Sequence, residues 1–152
     1  VNAREDTKDA VLLRELRAGD YDAVVALWLE AGLPYKPRGR DSREALAVQL
    51  GQATAIYLVA EAGGEIIGTV LGSHDGRKGW INRLAVAPAY RHRGVAATLV
   101  AELERRLDKL GIEIVAGLVE EGNDTSHAFF AAAGYKPFPG ITYFTKRKHE
   151  DV

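Results

Sequence analysis

Residues 80–110, WINRLAVAPAYRHRGVAATLVAELERRLDKL, decide how this chain is read. They run as an apolar strand from Trp80 to Val86, a short basic loop after Pro88, and a long amphipathic helix that opens on Gly94. Val95, Leu99, Leu103, Leu107 and Leu110 recur at helical spacing as one apolar stripe, with Glu102, Arg105, Arg106 and Lys109 off it. Gly111 supplies the expected stop. The first turn of such a helix carries N–H groups without intrahelical partners and the positive end of the macrodipole. An Arg91-x-x-Gly94-x-Ala96 turn feeds into it, and the guanidinium forks of Arg91 and Arg93 match phosphate oxygens. The segment therefore reads as a pyrophosphate cradle. For the two arginines taken alone, a solvated basic loop is the plainer reading.

Upstream, Val11 to Leu16 predicts a first strand, and Asp20 is placed to cap a helix through YDAVVALWLEA that ends at Gly32. Val24, Leu27, Trp28 and Ala31 form its core face, and Trp80 is also expected in the core. LPYKPRGRD is a loop broken by Pro34, Pro37 and Gly39, after which Asp41 or Ser42 caps a second helix to about Gln52. AIYLVAE (Ala55 to Glu61) and EIIGTVLGS flank Gly63-Gly64 as a hairpin, and Asp75-Gly76 turns the chain into the Trp80 strand.

Downstream, IEIVAGLV predicts a buried strand. The long helix between it and the Trp80 strand implies that these two strands pair in parallel. A short helix spans roughly Thr125 to Ala133, and ITYFTKR closes the domain as a last strand. The fold class is α+β, a mixed, twisted sheet of about six to seven strands flanked by about four helices. One domain over 11–147 is expected, with tails at 1–10 and 148–152.

Composition narrows the function classes. The chain has 152 residues, 47% of them apolar, and a formal net charge of −1, which argues against a general nucleic-acid or membrane-surface binder. It has no cysteine, so disulfides, thiolate metal sites and a cysteine nucleophile are excluded. The four histidines, His74, His92, His127 and His149, lack ligand spacing, so no metal site is expected. No apolar run approaches the ~18 residues of a membrane span, and VNAREDTKDA lacks a signal-peptide core, so a cytoplasmic protein is expected. G-x-x-x-x-G-K-[ST] and G-x-G-x-x-G are both absent, which leaves a nucleotide binder as a weak reading.

Two motifs together resemble the GNAT (Gcn5-related N-acetyltransferase) superfamily over nearly all of residues 11–147. LAVAPAYRHRGVAATL is similar to that family's acetyl-CoA motif. Asn123 followed by FFAAAGY (Phe129 to Tyr135) resembles its Asn-containing turn and Phe-Tyr-x-x-x-Gly-Phe helix. More loosely, AEAGGEIIGTVLGSHDG is similar to the bacterial YpeA-like branch.

The resemblance implies an acetyl-CoA-dependent N-acetyltransferase whose fourth strand splays from the fifth. Pantetheine would pair with the free edge at Leu84, Ala85 and Val86. The pyrophosphate would sit on backbone N–H groups of Arg91, His92, Arg93, Gly94, Val95 and Ala96, and Thr98 would add a hydroxyl. Asn123 would meet the pantetheine arm, and Phe129 and Phe130 would pack near its far half. The acceptor would be a small-molecule or protein amine, with the loop around Tyr35, Arg38 and Arg40 shaping its pocket. A homodimer is one assembly the family uses.

The chemistry needs a base to deprotonate the amine and a donor for the oxyanion. The N–H of Val86 is the candidate donor. Glu120, at the end of the fifth strand, is the candidate base through a water, against the plainer reading of a solvated acidic turn. Asn82 is a candidate for the acceptor cleft, against a structural hydrogen-bonded residue. One position departs from the family pattern. Phe130 stands where the family often has a tyrosine that protonates the departing thiolate, and neither Tyr135 nor Tyr143 fills that position. The alternative is therefore a non-catalytic acyl-CoA sensor or interaction module, in which Phe130→Tyr is expected to gain activity.

Overall fold

In the computed structural model, which describes residues 10–152, five strands pair in sequence order. They are β1 (Leu12–Glu15), β2 (Ala55–Ala62), β3 (Glu65–His74), β4 (Gly79–Val86) and β5 (Val115–Gly117). The first three junctions are antiparallel and β4–β5 is parallel, as the intervening helix requires. Four helices flank the sheet: α1 (Tyr21–Glu30), α2 (Arg43–Leu50), α3 (Val95–Lys109) and α4 (Asp124–Ala132).

The apolar spacing of α1 and α3 puts one helix on each face. From α1, Val24 and Trp28 are fully buried and Leu27 nearly so. From α3, Leu99, Leu103 and Leu107 are fully buried, each contributing roughly 1.5–3 kcal/mol. Leu110 leaves the expected stripe and is 56% exposed, because the helix ends at Lys109 and Ile112 takes the interior place instead. Trp80 is only half-buried, with the Lys78 ammonium 5.4 Å above its ring.

Local hydrogen bonds decide the form of two N-caps. Asp20 stands at the α1 N-cap position but makes no cap bond to the helix. Its carboxylate accepts from the Arg17 N–H at 2.8 Å and from both Arg14 Nη atoms, because a 3-10 turn (Ala18–Asp20) precedes the helix. Ser42, rather than Asp41, caps α2, its Oγ accepting from Ala45 N–H at 3.1 Å. Asp41 is buried and accepts from Lys36 N–H at 2.8 Å.

The far end of the sheet is shorter than the expected six to seven strands. Only Val115–Gly117 of IEIVAGLV pairs, opposite Gly79–Ile81, since β4 diverges beyond Ile81 and leaves the following residues without a partner. ITYFTKR forms no strand, because three-residue β5 offers almost no ladder for it to extend. Ile141, Tyr143 and Phe144 are 70%, 68% and 88% exposed. The expected tail carries contacts of its own: Lys36 Nζ donates to the Glu150 carbonyl at 3.0 Å, and Arg38 lies 3.3 Å from Asp151.

A surface ion cluster ties α3 to β1 across the sheet edge. Glu102 accepts from Arg105 and Arg106, and Arg106 also reaches Glu15 at 3.0 Å. The bonds from Arg105 first, then Arg106, hold the Glu102 carboxyl down at about 2, against an ordinary 4.5. A carboxyl with a depressed folded-state pKa adds stability above its unfolded value and loses it as pH falls through the folded one. Glu102→Gln should therefore flatten the fall in stability between about pH 4.5 and 2, measured by urea unfolding at stepped pH. An unchanged slope would show that the pair adds nothing, as many exposed pairs do.

Candidate active site

The site is built where β4 stops pairing. Its partner β5 covers only Gly79–Ile81, so Asn82 to Val86 face no strand on that side. On the other side, Asn82 pairs with Leu71 and Ala85 with Thr69, leaving Val70 opposite both Arg83 and Leu84. This is a β-bulge, and it bends the bulged strand. It also reverses the alternation of faces. Trp80 and Asn82 share the α1 side with Ser73 and Leu71 before it, and Ala85 shares that side with Thr69 after it. Leu84 is thus no longer on the face of Asn82, where uninterrupted alternation would put it.

Arg83 takes φ +51°, a left-handed conformation uncommon outside glycine that costs on the order of 1–3 kcal/mol. The surroundings hold it there. Trp28 Nε1 donates to Thr69 Oγ1 at 3.0 Å, and that hydroxyl donates to the Arg83 carbonyl at 3.0 Å. The Arg83 guanidinium lies 4.2 Å from the centroid of the Trp28 ring, and Nη1 donates to the Pro34 carbonyl at 2.6 Å. Its Nη2 sits 3.8 Å from Asp41, and both Nε and Nη2 are buried without a hydrogen bond. Burial pulls its pKa below the usual arginine value, with the Asp41 charge opposing.

After β4, a 3-10 turn (Pro88–Tyr90) leads to the basic loop. His92 and Gly94 both take left-handed backbone, at φ +60° and +79°. The backbone N–H of Arg91 donates to the Pro88 carbonyl at 3.3 Å, whereas those of His92 through Ala97 have no partner among the described residues. A Cβ on Gly94 would meet open space, and no carboxylate stands in the first turn of α3. An anion placed there meets a run of convergent donors and the helix dipole. Arg91 and Arg93 are exposed beside it, Arg93 lying 5.3 Å from the centroid of the Tyr90 ring. Thr98 uses its hydroxyl proton on the Gly94 carbonyl at 2.8 Å, which leaves its oxygen as an acceptor.

Across the gap stand β5 and α4. Asn123 caps α4, its Oδ1 accepting from Ser126 N–H at 3.2 Å, which leaves the side-chain amide N–H groups free to point outward. Phe130 packs its ring tip on β5: Cζ lies 3.2 Å from where a Cβ on Gly117 would stand. Phe129 and Tyr135 meet its ring edge-on at 5.3 and 5.2 Å. Tyr135 Oη is buried with no hydrogen bond, and burial foremost, with Glu104 behind it, pushes the phenol up to about 12. Glu120 is exposed, and its carbonyl accepts from Asn123 N–H and stands 3.1 Å from His127 Nε2.

Of the two residues expected at an acceptor pocket, Tyr35 is half-buried in the loop that Arg83 clamps, and Asn82 is exposed on the α1 face of β4. Two surface depressions lie elsewhere, one by Leu16, Tyr57 and Arg106, the other by Arg14, Leu27 and Ile66. Neither includes the β4 edge or the N-terminus of α3. Among the described residues no group of three or more His, Asp or Glu is placed to hold a metal, and no helix is long and apolar enough to cross a membrane.

Sequence reasoning missed two parts of this arrangement. Ala97 adds another free N–H and was legible from helix geometry, since the first turn of α3 includes it. The Trp28–Thr69–Arg83 set spans three elements, and no spacing rule connects them.

Known proteins share the sequence family and the fold. The acetyltransferase (GNAT) family model matches residues 21–135. An acetyltransferase of Pectobacterium atrosepticum is 34% identical over 139 residues, covering 91% of this chain and 96% of that protein. One from Photorhabdus laumondii is 35% identical over 114 residues, covering 75% and 78%. Among solved structures, the PaiA N-acetyltransferase of Thermoplasma acidophilum in complex with coenzyme A superposes with a TM-score of 0.76 at 22% identity, covering 84% of this chain and 90% of that one. The aminoglycoside acetyltransferase AAC(6′)-Iy with a bisubstrate analogue also gives 0.76, at 20% identity, with coverage of 91% and 99%. The chain belongs to the GNAT acetyltransferase family, whose cosubstrate is acetyl-CoA.

Proposed function

We propose that this protein transfers an acetyl group from acetyl-CoA to a primary amine by direct attack in a ternary complex. One observation carries the reading: the N–H groups of His92 through Ala97, without partners among the described residues, run past an open Gly94 at the end of a β4 edge that no strand covers. The donors suit a pyrophosphate, with Arg91 and Arg93 supporting it. Leu84 and Val86, on either side of the Thr69-paired Ala85, offer free backbone to an extended pantetheine arm, and the Asn123 amide, Phe129 and Phe130 line its other side. The acceptor is an amine entering from the side of Tyr35 and Asn82, as the amine-acetylating relatives of the same fold suggest.

In this reading the amine nitrogen attacks the thioester carbon, the Val86 N–H steadies the oxyanion, and the thiolate leaves. Glu120, exposed at the mouth, takes the amine proton through a water. No side chain supplies the final proton. Tyr135, at about 12, would have to protonate a thiolate of roughly 8.5, uphill by about 5 kcal/mol. Solvent does it instead, which a thiol of that acidity allows. The test is amine-stimulated thiol release from acetyl-CoA across simple amines, polyamines, aminoglycosides and peptides. Tight acetyl-CoA binding with no turnover on any of them would favour the second reading, a non-catalytic acyl-CoA sensor, for which Phe130 is the specific observation.

Phe130→Tyr separates acid catalysis from packing. Because the ring tip faces Gly117 on β5, a hydroxyl added at Cζ would press on that strand. The substitution is expected to leave turnover ungained and to lower the melting temperature by a few degrees. The sensor reading expects a gain of activity instead. A rise in kcat with an unchanged melting temperature would overturn the expectation from packing.

A further inference from the structure

Resting on acetyl-CoA as the molecule bound along β4, we propose that Trp28, Thr69 and Arg83 are positioning residues. They hold the β4 bulge in place and so set acetyl-CoA affinity without touching the cofactor. Arg83 adopts φ +51° in a strand, a conformation that must be held by its surroundings. Its carbonyl is held by the fully buried Thr69 hydroxyl, which is in turn held by the Trp28 indole N–H. The same indole ring carries the Arg83 guanidinium, whose Nη1 fixes the Pro34 carbonyl of the acceptor-side loop.

The consequence follows from strand geometry. A one-residue slip in a strand turns every following side chain and backbone edge to the opposite sense. Thr69 pairs with Ala85 immediately beyond the bulge, so its hydroxyl bonds back across the one place where the register changes. Without that bond Arg83 has no reason to stay left-handed, and relaxation to ordinary strand geometry turns Leu84–Val86 over. The N–H and carbonyl groups offered to pantetheine then point elsewhere. The guanidinium clamp extends the same control to the loop holding Tyr35, so cofactor edge and acceptor loop share one anchor. Arg83 Nε and Nη2, buried and without a hydrogen bond, fit a group kept for its placement against Trp28, Pro34 and Asp41.

Two substitutions at Thr69 separate positioning from general stability. Thr69→Val keeps the shape and removes the hydroxyl, whereas Thr69→Ser keeps the hydroxyl and removes a methyl. Isothermal titration with acetyl-CoA should show affinity falling about tenfold for T69V and changing less than about twofold for T69S. Leu46→Val, buried under α2 away from β4, serves as the stability control: its melting temperature falls while its affinity stays unchanged. Amide resonances of Arg83 to Val86 should shift in T69V and not in L46V. If T69V does not fold, Trp28→Phe, which removes only the indole N–H and part of the ring, should still weaken binding about threefold. T69V, or in its place W28F, binding like the wild type would overturn the proposal, as would affinity that simply tracks melting temperature across all the variants. Failure of the wild type to bind acetyl-CoA would instead overturn the cofactor reading itself.

Discussion

Gly94→Asp is expected to weaken acetyl-CoA binding by at least about a hundredfold while the protein stays folded. Gly94 has φ +79°, and aspartate tolerates that region better than other residues with a Cβ. A Cβ there meets no neighbour, so the folded chain has room for it. The carboxylate, however, would stand in front of the free N–H groups of His92 to Ala97 and accept from them. It would also repel the pyrophosphate. Two like charges about 4 Å apart at an effective dielectric of 20 oppose each other by about 4 kcal/mol, and a hundredfold loss requires only about 2.7. Gly94→Asn isolates the charge, since it has the same shape and the same tolerance of left-handed backbone. Its affinity should fall less than about tenfold. Calorimetry on both variants, with circular dichroism to confirm folding, decides it. Equal losses would mean that shape rather than charge closes the cradle, and no loss in either would remove the pyrophosphate from the N-terminus of α3.

How much of this could be read in the chain follows from the range of each interaction. The α3 stripe, the Gly94 opening and the Ser42 cap depend on residues a few positions apart, and each is where periodicity and capping rules put it. The hairpins of β2, β3 and β4 were legible for the same reason, because Gly63-Gly64 and Asp75-Gly76 encode their turns locally. Leu110 and Trp80 were misplaced because burial at the end of an element depends on what packs against it. The bulge at Arg83 was invisible. Nothing in WINRLAV marks a left-handed arginine, and its cause lies in Trp28 and Thr69, far away in sequence. The shortness of β5 has the same origin, since that strand ends where the divergence of β4 removes its partner. Thr98 illustrates a subtler limit. Its spacing from Gly94 is plain in the sequence, but that the Gly94 carbonyl takes its hydroxyl proton shows only in the folded helix.

The depth at which α3 lies on the sheet is the other long-range property, and Gly72→Ala exposes it. Gly68, Gly72 and Gly79 face the helix, and each meets the side chain of a successive turn: Val95 and Leu99, then Leu103, then Leu107. At Gly72 a Cβ would overlap Leu103 Cδ1, lie 2.8 Å from Cδ2, and stand 2.9 Å from the Ile56 carbonyl oxygen. A side chain can turn away, but the carbonyl belongs to the paired strand β2 and cannot. The methyl gained therefore forces strain in a core where Leu103 is fully buried. We expect a loss of about 3 kcal/mol, or roughly 6–12 °C in melting temperature for a chain of this size. Gly68→Ala should cost less, since its nearest neighbours, Leu99 Cδ1 and Val95 Cγ1, stand at 3.0 Å and no backbone atom lies as close. Leu103→Ala alone should cost about 2–5 kcal/mol by leaving a cavity. Combined with Gly72→Ala it should cost at least about 1 kcal/mol less than the sum, because the new methyl occupies the space that Leu103 vacates. Thermal and urea unfolding of the four proteins in this cycle measure that coupling. Strict additivity would place the strain of Gly72→Ala at the Ile56 carbonyl alone, and a neutral single variant would show that α3 can rise from the sheet without cost.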